Sequence, residues 1–171
     1  MARLRAVCAG VILSLGAVLA PGLVQGQVTA QPGETFGDWI YECASVGDNQ
    51  QSCALNQTLV DQASGNPLLK FSLSRDAQSG AVALVALVPL GIDFAAGVSG
   101  AVDEGAPFRY GLRTCVGTTC VAMVQVAPEA LEQLKGGSRL RIAFTMFGEA
   151  QQRVFAGSLR GVTAGAAAAG F

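Results

Sequence analysis

Histidine is missing from all 171 positions of this chain. Its absence excludes histidine-based catalytic triads, imidazole metal ligands and a side-chain charge switch near neutral pH. Charge is also scarce: Asp, Glu, Lys and Arg make up 13% of the residues, against 51% hydrophobic ones. That balance argues for a compact fold and against disorder. No glycine pattern matches a P-loop or a dinucleotide fingerprint, and no G-x-S-x-G elbow presents a nucleophilic serine. The expectation is a protein without catalytic residues, metal or cofactor.

What is present begins with M-A-R-L-R-A-V-C-A-G-V-I-L-S-L-G-A-V-L-A-P-G. Arg3 and Arg5 form a short positive region, Ala6 to Ala20 an uncharged apolar stretch, and Pro21-Gly22 a break. Small residues then offer cleavage after Gly26 or Ala30. That order is a secretory signal peptide over 1–26, and the apolar run is shorter than the roughly 20 residues a spanning helix needs. The mature chain of 145 residues then carries nine basic and twelve acidic residues, a net charge of −3. It has no overall basic field to attract nucleic acid or an anionic membrane. A periplasmic, envelope-associated or secreted product without a transmembrane span is expected.

Cleavage also removes Cys8 and leaves Cys43, Cys53, Cys115 and Cys120. An even number in an exported chain favours disulfides. Four cysteines allow three connectivities; the short separations favour the two local pairs, but spacing alone does not settle it. A four-thiolate zinc site fits poorly, since nine residues separate Cys43 from Cys53 where zinc knuckles use two to four. In R-T-C-V-G-T-T-C, four residues separate Cys115 from Cys120, which departs from the C-x-x-C of thioredoxin-like centres.

After a polar lead-in over 27–35, the chain reads as short alternating apolar runs punctuated by glycine. Trp39, Tyr41 and Cys43 share one face, and Cys53, Leu55, Gln57 and Leu59 suggest a return strand. Leu69, Phe71 and Leu73 continue the pattern, followed by a buried strand over Val82–Val88 and a turn at Pro89-Leu90-Gly91. A shorter strand or loop comes next. Phe108, Tyr110 and Leu112 define another face, and 121–126 a further strand with two possible inward sets. P-E-A-L-E-Q-L-K-G-G is the one helix, with Pro128 in its first turn and Gly136 at its end. Strands at 140–147 and 153–159 follow, and the Ala/Gly-rich tail 164–171 is expected to fray. About eight strands and one short helix, without βαβ alternation, predict a single-domain antiparallel β-sandwich or jelly-roll-like fold over 36–163.

Few polar residues suggest a site. Arg109, Arg113, Arg139 and Arg141 form a possible binding surface on one sheet, although alternating arginines are commonly simple outward positions. Asp93, inside an apolar stretch, reads as a strand-end or turn residue, and Asp103-Glu104-Gly105 as a turn. Asn56-Gln57-Thr58 is a formal glycosylation sequon.

An ordered set of segments carries a resemblance: F-G-D-W-I-Y-E-C (36–43), Cys53, V-P-L-G-I-D-F-A-A-G-V (88–98), Y-G-L-R-T-C-V-G-T-T-C-V-A (110–122) and S-L-R-G-V-T-A-G (158–165). Together they resemble the invasion-associated locus B family of exported bacterial proteins, over nearly all of the mature chain. Val162 departs from the pattern, which commonly has Phe there. The resemblance implies a periplasmic or envelope-associated β-sandwich from a Gram-negative bacterium, and it supplies no catalytic residues. The expected role is non-enzymatic binding of an unidentified protein or envelope or surface ligand, with host-cell interaction possible in pathogens. The alternatives are a periplasmic stress or envelope-maintenance factor, or a thiol-redox enzyme using Cys115 and Cys120.

Overall fold

The computed structural model describes residues 28–47, 51–76 and 79–171. The expected signal segment 1–26 lies outside these residues. Ten strands run β1 Thr35–Phe36, β2 Trp39–Ser45, β3 Gln51–Val60, β4 Pro67–Arg75, β5 Val82–Pro89, β6 Val98–Val102, β7 Phe108–Val116, β8 Thr119–Val126, β9 Arg139–Thr145 and β10 Gln152–Ser158. Helix α1, Pro128–Gly136, separates β8 from β9, and α2, Val162–Ala168, follows β10.

Every strand pairing is antiparallel, in the order β1-β2-β3-β4-β5-β8-β7-β6-β9-β10. The first five strands meander. Strands β6, β7 and β8 follow as two hairpins, and β9 returns through α1 to lie beside β6, which is a Greek key. Strand β7 belongs to both layers: its first residues pair with β6 and its later ones with β8. The sheet thus folds over itself in the sandwich-like arrangement that the alternating sequence predicts.

Alternation sets the interior. In β5 every second residue, Val82, Leu84, Ala86 and Val88, is buried. Register then aligns inward side chains across strands: Tyr41, Leu55, Leu73, Leu84 and Val124 form one continuous row. In β8 the inward set is Ala122 and Val124, settling the choice that periodicity leaves open. Leu131 and Leu134 of α1 cap one end of the core. Pro128 occupies the first turn, where its missing N–H costs no helical bond, and Glu129 and Lys135 match the helix dipole.

Two strands exceed the expected eight: β6, which the sequence leaves as a strand or loop, and the two-residue β1. The larger difference is the C-terminus. Where compositional bias suggests fraying, 162–168 is helical, with Val162, Gly165 and Ala166 buried. Alanine has the highest helix propensity, and a helix of small residues can approach a sheet closely. Gly165 packs against Leu55, and the terminal Phe171 lies under the Arg75 guanidinium. The lead-in is held by the same helix: the N–H groups of Thr29 and Ala30 both donate to Ala168 O, at 2.7 and 3.0 Å.

The segments around Asp38 and Arg160 meet despite their separation in sequence. Arg160 forms a two-pronged ion pair with Asp38, through Nη2 to Oδ1 at 2.6 Å and Nε to Oδ2 at 3.1 Å. Hydrogen bonds from Arg160 and Ser158 hold the Asp38 carboxyl down at about 2. Asp38 N donates to Arg160 O, and the Trp39 indole N–H donates to Ser158 O at 2.8 Å. This latch joins the β1–β2 turn to the end of β10.

Candidate functional site

The cysteines pair locally. Cys43 of β2 lies directly opposite Cys53 of β3, and Cys115 of β7 directly opposite Cys120 of β8. Their Cα atoms are 4.0 and 3.9 Å apart, so each bond spans a hairpin whose pairing already brings the residues together. Neither pair stands at a helix N-terminus, where a dipole would activate a thiolate. Cys120 is fully buried, so attack on its sulfur is obstructed.

The predicted arginine surface divides in two. Arg139 and Arg141 lie on β9 next to an acidic turn: Glu104 pairs with Arg141 at 3.1 Å, and the Asp103 carboxylate accepts the backbone N–H groups of Ser138 and Arg139. Arg109 lies on β7 opposite Ser99 of β6 and donates to Ala96 O at 2.8 Å. Its guanidinium sits against Gly97, whose φ of +72° and missing side chain make the seat. Arg113 is exposed at a register shift between Leu112 and Thr114. Among the described residues, neither Arg109 nor Arg113 forms an ion pair.

Three turns beside Arg109 and Arg113 are joined by backbone hydrogen bonds. Leu90 N donates to Thr118 O, Phe147 N to Gly91 O, and Asp93 N to Thr145 O. Ile92 bridges Met146 and is buried beneath them. Above this base the turns present Leu90, Phe94, Val116 and Phe147, with 52%, 60%, 69% and 82% of their surface exposed. The Cys115–Cys120 bond closes the hairpin that carries Val116. Nearby acids are engaged: Asp93 Oδ1 accepts Ala95 N at 2.9 Å, and Glu149 pairs with Arg153. Asp93 is thus a turn residue, as its sequence context suggests. Periodicity places Phe147 on a strand but cannot show that it caps a turn and faces solvent.

Other features serve the scaffold. A cleft of about 490 Å³ on the outer face is lined by Ser52, Ser74, Asp76, Ser79, Met123 and Gln125; its one carboxylate, Asp76, accepts the backbone N–H and the hydroxyl of Ser79 in a tight turn. In the sequon, Asn56 is 6% exposed; it donates to Glu42 and accepts from Ser72. The sequon therefore belongs to the sheet rather than to an accessible loop.

Comparison with known proteins identifies the architecture. The family model for the invasion associated locus B protein matches residues 39–170. Two Brucella abortus proteins, each named an invasion protein B homolog and coming from strain 2308 and from biovar 1 strain 9-941, are both 31% identical over 149 residues. Each match covers 87% of this chain and 84% of the relative. The crystal structure of invasion associated protein B from Bartonella henselae superposes with a TM-score of 0.64 at 25% identity, covering 77% of this chain and 89% of that one. With the family match running from the latch through both hairpin disulfides to the terminal helix, the chain belongs to the invasion-associated locus B family.

Proposed function

We propose that this protein is an exported, non-enzymatic envelope protein that binds a protein or surface ligand through the turns at 90–97, 116–119 and 146–149. The supporting observation is the concentration of exposed apolar side chains on three turns, of which the central one, 90–97, is hydrogen-bonded to both of the others. A large apolar patch kept in water signals an interaction site. The four cysteines among the described residues are occupied in hairpin bonds. Relatives in Brucella and Bartonella are named invasion proteins, and contact with a host surface is the narrower form of the same reading.

Photo-crosslinking from position 147 in the native envelope tests it: a discrete adduct is expected, and none across growth conditions would count against binding. Thiol titration of the denatured, unreduced periplasmic protein addresses the redox alternative. No free thiol is expected, and the Cys115–Cys120 bond should resist mild reductant. Ready reduction of that pair while the fold persists would instead favour thiol chemistry.

Export makes a second prediction. Cleavage after Gly26 keeps Thr29 and buried Ala30, whose N–H groups both bond to Ala168 O. A cut after Ala30 would remove both bonds. Intact mass of the periplasmic protein should therefore correspond to a chain starting at Gln27; a start at Gln31 would refute this assignment.

A further inference from the structure

We infer that the exposed tip is a peripheral membrane-docking surface whose ligand is an anionic phospholipid bilayer; this rests on the binding reading above and names its partner. The first argument is shape. Leu90, Phe94 and Phe147 stand on turns, and Val116 ends β7 at the mouth of its hairpin turn. Projecting apolar side chains suit a deformable lipid interface, where they can enter the boundary between headgroups and acyl chains. The turns below them would stay at headgroup depth, where water still satisfies backbone polar groups.

Charge is the second argument. The mature chain is net acidic, yet the acids at this end are engaged within the protein, Asp93 by backbone N–H groups and Glu149 by Arg153. Arg109 and Arg113 have no carboxylate partner among the described residues. The local arrangement is therefore an apolar crest with a cationic flank, although the chain as a whole carries no basic field. Such a flank complements the negative surface of an anionic bilayer, and salt screens the attraction.

Rigidity is the third. Both ends of the hairpin bearing Val116 are joined by the Cys115–Cys120 bond, and the other two turns are tied to one another through Gly91, Ile92 and Thr145. A tip ordered before contact loses little conformational freedom on docking. The disulfide thereby acquires a use beyond the modest stabilisation that so short a loop provides.

Co-sedimentation with vesicles tests the inference, using periplasmic protein with its disulfides intact. Binding is expected to vesicles of phosphatidylcholine mixed with phosphatidylglycerol, and to weaken as salt rises. The double variant Phe94→Ser/Phe147→Ser should lower binding about tenfold or more. Arg109→Gln/Arg113→Gln should abolish the preference over pure phosphatidylcholine. Both double variants should still unfold cooperatively, since the altered groups are exposed and the one internal bond lost is that from Arg109 to the Ala96 carbonyl. No binding to the mixed vesicles, or undiminished binding by Phe94→Ser/Phe147→Ser, overturns the inference. A protein adduct at position 147 without vesicle binding overturns the lipid assignment and leaves the binding role standing; loss of both removes the two together.

Discussion

Replacing Gly161 with alanine is expected to destabilise the fold by about 3 kcal/mol or more, a large fraction of a domain's usual margin. Two separate penalties combine at this position. Gly161 has a φ of +100°, which side chains rarely adopt, and a Cβ there would collide with the backbone carbonyl of Phe36. That carbonyl has little room to move. Phe36 is paired with Trp39, Asp38 N is bonded to Arg160 O, and a Cβ on Gly37 would in turn strike Arg160 O. The two backbones cross at a separation only glycines permit. Gly33→Ala is the matched control, because Gly33 has a φ of +91° and nothing within 4 Å of its absent Cβ. It should lose only the conformational part, about 1–2 kcal/mol. Urea midpoints followed by tryptophan fluorescence compare them directly. Equal losses in the two variants would show that the crossing contributes nothing.

The latch also marks the limit of what a sequence discloses. F-G-D-W and S-L-R-G both stand out as segments of the family resemblance, but nothing local shows that they touch across 122 positions. Their contact depends on the whole Greek-key path between them. Residues whose environment follows from strand period are legible beforehand, so Leu69, Phe71 and Leu73 are expected inward and are buried. The staples are legible in the same way, because an exported hairpin with opposed cysteines has few other uses for them. Composition misleads at the C-terminus: alanine-rich simplicity suggests fraying, yet packing on Leu55 makes 162–168 part of the core. The tip is hidden for a further reason. Phe94 and Phe147 lie in different segments, and only tertiary hydrogen bonds through Gly91 and Thr145 bring their turns together. Four arginines on predicted strands look equivalent in sequence, but Asp103 and Glu104 stand beside two and leave Arg109 and Arg113 without a carboxylate among the described residues.

Trp39→Ala is expected to be the most damaging single truncation in the sheet, costing about 4 kcal/mol. Trp39 is the only tryptophan in the chain and is 2% exposed, so deleting its ring removes a large apolar volume that the surrounding strands cannot refill. Its indole N–H also shares the Ser158 carbonyl with Gln57 Nε2, which donates at 3.0 Å and reaches Asp38 O at 3.2 Å. Trp39→Phe separates the two contributions. Most of the ring volume remains, while Ser158 O keeps Gln57 as a donor, so the loss should fall to about 1–2 kcal/mol. Circular dichroism must follow both unfolding curves, since the fluorophore is gone. Were Trp39 instead a ligand contact, the pattern would be the opposite. Trp39→Phe would then weaken crosslinking or vesicle binding while leaving the urea midpoint in place. Burial beneath the latch predicts a shifted midpoint with unchanged binding by the folded fraction, because the indole holds the two ends of the sheet together and presents no face to solvent.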